Sequence, residues 1–471
     1  MDNKYKKLAK NTLLISFGTF GSRTISFFLL PIFTRVLSKE SYGKIDIFST
    51  TVSLLTILLS LEIAAAVFRF SAGSESSNDR KILSSSYVVI LFSLILFFII
   101  FPLFNKVNNF FVQIKYYLLL SLIFSILNSI NKNYIRAKEK MLIYATSDIL
   151  NTLSFATIGI VFVSILKKGV LGYFQAYLFS QAITAVYLFI AGKIYRKICF
   201  KYVSKGTLKE MVKYSLPFMP NSLSWWIMNI SDRYLIVYFL GFAAAGIYGV
   251  SYKFMGLVSI LNAIFYQAWQ VSAIEQYDKS DRDQFYSNVF KYLSTSLIGI
   301  LLLFSILMKP FVKIMVGSEF EMAWEFLPFL MLGALFSAFS SFYGVGYITS
   351  KESKGAFSTS LFGALANFVI NIFFIPLIGI QAAAMSTMIA FLLMWILRLK
   401  QTKKYFIINV DWKVLGINLI LVSASLFLSF LKNYGTYFQI VIFIIFVIVN
   451  YKFLAYVFKL ILSKVKFKKS S

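Results

Sequence analysis

Residues 82–104 read ILSSSYVVILFSLILFFIIFPLF, with no charged side chain in the whole stretch. A helix of that length rises by roughly 34 Å at 1.5 Å per residue, enough to cross the hydrocarbon core of a bilayer. Strands are excluded, because the run lacks the alternation of polar and apolar residues that a membrane barrel needs. The segment predicts a transmembrane helix, and the rest of the chain repeats it. Apolar runs of spanning length lie near 11–34, 45–68, 82–104, 115–134, 142–166, 170–191, 214–240, 246–271, 286–308, 325–348, 355–376, 379–398, 414–432 and 437–460. The count is fourteen, or twelve if a junction such as Pro376-Leu377-Ile378-Gly379 is misread. Composition agrees: 59% of the 471 residues are hydrophobic and 14% are charged, against about 25% in an average soluble domain. Mean hydropathy is +0.76. The fold class is all-α, a polytopic transmembrane bundle.

The net charge of +28 would point to nucleic acid in a soluble protein. In a membrane protein it reports topology, because cytoplasmic loops collect Lys and Arg. With the N-terminus inside and the loops assigned alternately, inside segments hold 33 positive residues and outside segments 10. Both termini are therefore expected in the cytoplasm, and no nucleic-acid partner is implied. The N-terminal stretch shows no cleavable signal peptide: its apolar run is too long and lacks a small-residue cleavage site. The chain has no histidine and one cysteine, Cys199. That excludes histidine acid–base chemistry, histidine metal sites and intrachain disulfides, and no cofactor is expected.

The longest loop, about 192–213, is basic and separates spans six and seven. Around it the sequence echoes itself. The segment 11–46 begins Asn11-Thr12-Leu13-Leu14, carries Arg23 and Pro31, and ends in Leu37-Ser38-Lys39-Glu40-Ser41-Tyr42-Gly43. The segment 214–253 carries Asp232-Arg233, then Phe239-Leu240-Gly241 and Gly246-Ile247-Tyr248-Gly249. Lys138-Glu139-Lys140 and Lys351-Glu352-Ser353 precede matching spans that close at Gly172 and Gly379. The expected organisation is a six-helix bundle at 1–191, a cytoplasmic linker at 192–213, a second six-helix bundle at 214–398, and two helices with a basic tail at 399–471. Transporters built from repeats place their site between them.

Charges inside spans are the informative residues, since each costs about 2.5–3.5 kcal/mol at mid-bilayer and is retained mostly where it meets a cavity or a partner. Arg23 lies near the middle of span one, and Arg233 and Lys253 lie at matching depth on adjacent spans. They are the candidates for a cationic cavity that receives an anionic group, arginine suiting phosphate through its planar fork. The alternative is intramembrane pairing, for example Asp232 with Lys253, or Glu62 with Asp148 through a shared proton. Glu62, Asp148 and Asp232 are candidates for coupling or substrate contact. Pro31, Pro217 and Pro220 mark bends. Asn151, Asn367 and Asn371 read as interhelical hydrogen-bonding groups. Trp225 and Trp226 read as lipid-facing bulk, with cavity lining the alternative.

Four stretches, in order, resemble a known family: Asn11–Gly43, Arg136–Asn151, Ser215–Gly256 with Ser231-Asp232-Arg233-Tyr234, and Gly344–Ala384. The last contains Asn371-Ile372-Phe373-Phe374-Ile375-Pro376 and Ile378-Gly379-Ile380-Gln381-Ala382-Ala383-Ala384. The chain resembles the repeat-unit flippases, the polysaccharide transport branch of the multidrug/oligosaccharidyl-lipid/polysaccharide (MOP) exporter superfamily. The resemblance implies two bundles opening alternately to each side of a bacterial inner membrane. It implies an undecaprenyl-diphosphate-linked oligosaccharide as substrate, membrane lipids as surroundings, and a polysaccharide polymerase and glycosyltransferases as partners. It also implies transport rather than catalysis, with Arg23, Arg233 and Lys253 matched to the basic cavity. Rival readings are a flippase for the peptidoglycan precursor and a multidrug exporter of the same superfamily.

Overall fold

The computed structural model describes residues 18, 20–74, 76–107, 109–350, 352–431, 434–451 and 455. The start of the first span (11–17), the lysines before it and the basic tail lie outside the described residues. Everything described is helix, turn or short connection, without strands.

Residues 20–28 and Leu30–Val36 form α1, interrupted at Leu29 with Pro31 in the first turn of the second piece. That is where proline is tolerated, since the amide it lacks has no helical partner there. Ser38 caps the next helix, accepting from the Ser41 amide at 3.3 Å. This is α2 (Lys39–Ser60), which continues as α3 (Ile63–Ser71). Between them Leu61 and Glu62 both take left-handed backbone angles, φ 52° and 54°. Span two is therefore broken at Glu62.

The first half is completed by α4 (Ser76–Val107), α5 (Lys115–Ala137), α6 (Met141–Gly159, prolonged by a π-helical turn at Ile160–Ile165) and α7 (Gly169–Ala191). The basic connection is itself folded. It holds 3₁₀ turns at Ile194–Arg196 and Phe200–Tyr202 and the capped helix α8 (Lys205–Ser215).

Span seven starts with α9 (Met219–Trp226), passes a π-helical turn at Ile227–Ser231, and enters α10 (Asp232–Gln276). Gly241, at φ 85°, ψ 175°, kinks α10 and divides it into spans seven and eight. Only glycine takes that conformation without strain. Then come α11 (Arg282–Met315), α12 (Leu327–Thr349), α13 (Ser353–Ile378), α14 (Ile380–Gln401), α15 (Trp412–Leu428) and α16 (Gly435–Val449).

Ten helical stretches are long and apolar enough to span a membrane, and α15 and α16 are shorter apolar helices. One of the ten, Lys205–Gln276, contains both crossings that meet at Gly241. With that stretch divided and α1 added, the described helices agree with about fourteen spans. The chain is a multi-pass membrane protein. Helices are its only spanning solution because every backbone amide must be satisfied without water.

Candidate functional site

Two glycines make the site possible. α2 and α10 cross so closely that a Cβ on Gly43 would lie 1.9 Å from the Phe242 carbonyl oxygen. A Cβ on Gly246 would lie 2.0 Å from the Lys39 carbonyl oxygen. Small residues at such a crossing let two membrane helices approach to backbone contact. One turn further in, Gly249 faces the Asp46 carboxylate across the same seam. The close approach brings Asp46 of α2 to Arg233 of α10, with Oδ2 2.5 Å from Nε. Both groups are buried, and neither of these two atoms has an aligned hydrogen bond, so their attraction is charge against charge. The guanidinium also donates through Nη1 to the Asn229 carbonyl at 2.9 Å and lies over the Tyr252 ring at 4.5 Å. Tyr252 is held in turn by its hydroxyl, which donates to Asn229 Oδ1 at 2.8 Å.

The same seam is stitched at two further points. Thr51 and Tyr234 share a hydroxyl hydrogen bond of 2.6 Å, and Trp226 Nε1 donates to Ser53 Oγ at 3.1 Å. Beyond the Gly43 end, the Gly317 amide donates to Thr34 Oγ1 at 3.0 Å. Arg35 donates to the Ile314 carbonyl at 3.1 Å, and the Lys39 amide donates to Glu319 at 3.3 Å. These contacts tie the first half of the chain to the second along the face that the charge distribution assigns to the outside.

Asp232 adjoins Arg233 in sequence but points elsewhere. It is fully buried and accepts from Tyr248 Oη at 2.6 Å, Thr387 Oγ1 at 2.8 Å and Asn371 Nδ2 at 2.6 Å. Asn367 and Asn371 sit one turn apart on α13, and both bond Ser386 of α14. The cluster therefore offers one carboxylate among neutral hydroxyls and amides. Such a carboxylate can hold a proton or sit beside a monovalent cation bound by side-chain oxygens. Among the described residues there is no group of three or more Cys, Asp or Glu that would hold a metal ion.

Lys253, expected near these groups, faces a separate space. A cavity of about 210 Å³ lies among α1, α2, α6, α7 and α10, walled in part by Ser26, Phe33, Tyr42, Asn151 and Tyr173, with Lys253 reaching in from α10. Lys253 is exposed to this space and forms no ion pair among the described residues, although the Asp46 carboxylate and the Arg233 guanidinium both lie within electrostatic reach of it. Arg23 is also exposed, one turn from Ser26 on α1. A lysine among phenols, hydroxyls and an amide can receive an anion and hydrogen-bond a polyol.

The three cations thus fall into two environments. Lys253 lies open in the cavity and Arg23 is exposed nearby on the same helix as two of the walls, whereas Arg233 is committed to Asp46. Neither of the alternative pairings occurs. Asp232 is bonded to Tyr248, Thr387 and Asn371, and Asp148 of α6 pairs with Lys132 of α5. Glu62 is half-buried at the helix break. Asn151, Asn367 and Asn371 do bond across helices, Asn151 reaching Thr184 at 3.0 Å.

The tryptophans are not lipid-facing bulk. Trp226 is buried on Ser53, and Trp225 is half-buried beneath the Arg398 guanidinium, 5.7 Å from its ring centre. A π-helical turn, Ile227–Ser231, follows directly after them. Asp46 went unnoticed in the sequence because it stands at the outer edge of span two, where an acid reads as loop. Arg398 went unnoticed at the other edge of span twelve. It is buried and donates to the Ser340 carbonyl at 3.0 Å and to Thr359 and Ser360 at 3.2 Å each.

The described helices thus form a multi-pass membrane bundle in which α2 and α10 meet at a glycine seam with charged and polar groups buried along it. Residues 8–270 match the family described as polysaccharide biosynthesis protein, and the chain belongs to that family. An uncharacterised membrane protein of Methanocaldococcus jannaschii is 25% identical over 241 residues, which cover 47% of this chain and 46% of that protein. The matched region thus spans about half the length of that relative. Among solved structures, the lipid II flippase MurJ in an inward closed conformation superimposes with a TM-score of 0.75 at 18% identity. That superposition covers 95% of this chain and all of the other. An inward-facing multidrug resistance MATE family transporter of the MOP superfamily follows at 0.69 and 13% identity, over 84% of this chain and 98% of that one. At these identities the likeness establishes the fold.

Proposed function

We propose that the protein is a flippase for lipid-linked oligosaccharide repeat units, carried on undecaprenyl diphosphate from the inner to the outer leaflet of a bacterial cytoplasmic membrane. Its product would feed capsule or O-antigen-like surface polysaccharide, with glycosyltransferases upstream and a polymerase downstream. The observation that carries this reading is Lys253: an exposed cation with no ion pair among the described residues, facing a cavity whose walls mix tyrosine phenols, hydroxyls and the Asn151 amide with apolar Leu and Phe side chains. An ammonium acts as a point charge for a phosphate, and phenol faces suit sugar rings. Family membership and the superfamily fold support it.

The cycle follows from the seam. With α2 and α10 in contact, the outer-assigned face is closed and the substrate head enters from the cytoplasmic side while its lipid tail remains in the bilayer. Separation of the seam then opens the outer side, in the alternating-access manner. Asp232 is the candidate coupling group, and no bond in the substrate need change. The test is surface polysaccharide export in a strain lacking this gene, complemented by Lys253→Ala or Arg23→Ala at matched protein level. Undiminished export by Lys253→Ala would remove the cavity from the mechanism.

A second reading has its own support. MurJ superimposes over nearly the whole chain, so flipping of a peptidoglycan precursor is the competing assignment. Rescue of a strain depleted of its peptidoglycan-precursor flippase would favour it. A multidrug exporter is disfavoured because its usual cationic substrates would meet Lys253.

A further inference from the structure

The folded linker between the halves carries a second feature, unrelated to the central cavity. Lys193, Lys197, Lys201, Lys205, Lys209 and Lys213 recur at every fourth position. Lys197 is drawn inward onto Asp79 at 3.0 Å, beside Lys138 at 2.8 Å, which pins this segment to the ends of α4 and α5. The other five lysines are exposed. Where the pinned segment crosses α4 it leaves a groove of about 230 Å³, whose walls include Tyr87, Leu91, Leu127, Cys199, Phe200 and Val203.

The groove offers a ligand almost nothing but hydrocarbon. Its Ser84 hydroxyl already accepts the Cys199 amide at 3.1 Å, and its Tyr87 hydroxyl already donates to Asn131 at 2.7 Å. It opens to the lipid side of α4, because Leu91 is exposed and continues into exposed Ile95 and Phe98, one and two turns on. At its other end stands Arg80, which is exposed. Arg80 stacks on the Tyr202 ring at 5.3 Å and donates to its hydroxyl at 3.0 Å. Among the described residues no carboxylate pairs with Arg80; the neighbouring Asp79 is taken by Lys138 and Lys197. Exposed Lys201 lies in the turn that carries Phe200 and Tyr202.

We infer that this groove binds an anionic phospholipid, its acyl chain against Leu91 and Phe200 and its phosphate on Arg80 and Lys201. A fixed guanidinium beside a hydrocarbon slot matches both ends of such a lipid, and the slot is continuous with the bilayer. The bound lipid would anchor the linker to the leaflet while the two halves move. This rests on the membrane placement of the linker and not on the identity of the transported substrate.

Cys199, the chain's single cysteine, provides the probe within the groove wall. The full-length protein is reconstituted in phosphatidylcholine vesicles with or without phosphatidylglycerol. Reaction of Cys199 with a water-soluble maleimide is timed, and retained lipid is counted by native mass spectrometry. Phosphatidylglycerol should slow the labelling and remain bound, and free glycerol phosphate should do neither. A basic residue close to an anionic surface is worth on the order of a fivefold change in affinity. Arg80→Gln with Lys201→Gln should therefore weaken retention by roughly 25-fold. Leu91→Trp, an exposed position, should block the groove with Arg80 intact. Equal labelling in both vesicles, or full retention in both variants, overturns the inference. Preferential retention of an added undecaprenyl phosphate over phosphatidylglycerol also overturns it, by making the groove a substrate-tail site. Loss of polysaccharide export with lipid retention intact bears on the flippase reading alone.

Discussion

Replacing Asp46 with Asn is the most direct challenge to the seam. The carboxylate stands 2.5 Å from Arg233 Nε, both groups are buried, and they lie on helices whose backbones meet at Gly43 and Gly246. Removing one partner of a buried ion pair costs about 3–5 kcal/mol, because the other charge is left uncompensated. Arg233 keeps its bond to the Asn229 carbonyl and its place over Tyr252, and a cation–π contact returns about 0.5–2 kcal/mol. The lower end of the range is therefore appropriate, near 3 kcal/mol. At 1.4 kcal/mol per decade this shifts the balance between closed and open seam by roughly a hundredfold. The reporter is Ala245→Cys in a Cys199→Ser background, since Ala245 is fully buried beside the seam on α10. A membrane-impermeant maleimide added from outside should label it far faster with Asp46→Asn than without. The double variant Asp46→Asn/Arg233→Gln removes the stranded charge and should bring labelling back toward the starting rate. Unchanged labelling in the single variant, at normal expression, would show that the ion pair does not hold the seam.

Other substitutions separate the remaining parts. Gly246→Val puts side-chain atoms where the Lys39 carbonyl oxygen lies, so it should abolish closure and leave Ala245→Cys labelling at the open-state rate. Lys253→Arg should keep most export and Lys253→Ala lose it, as read by surface polysaccharide, because Lys253 is the cation among the described residues that line the cavity. Asp232→Ala removes the shortest acceptor of Tyr248, Thr387 and Asn371 and leaves them on longer bonds to the Ala383 carbonyl and Asn367. At about 1 kcal/mol for each hydrogen bond lost, the purified protein should melt a few degrees lower, and a sodium-dependence of its melting, if the cluster binds the ion, should be lost.

Much of the fold was readable from residue types alone. A stretch such as 82–104 has no alternative to a helix in lipid, and the charge asymmetry follows from the cost of moving Lys and Arg across a bilayer. Gly172 and Gly379 were expected to close spans; Gly379 does so at positive φ, whereas Gly172 lies inside α7 and the positive-φ glycine there is Gly169. The sequence also marked where costly charges sit. It did not show which of them are spent on each other, because an ion pair between residues far apart in the chain leaves no local pattern.

Asp232 and Arg233 make the point. They are neighbours, and a helix turns about 100° per residue. One side chain is therefore directed to α13 and α14 and the other to α2. Which of two adjacent charges becomes a buried carboxylate among amides, and which becomes half of an ion pair, depends on the helices that pack on either side. Likewise Lys253 is an open cation because α10 presents it to a cavity rather than to Asp232. Composition and periodicity determined that this chain spans a membrane many times and keeps charges inside it. Only the packing of its helices decided which charges are neutralised and which remain available to bind, because that depends on distances of a few ångströms between groups more than a hundred residues apart.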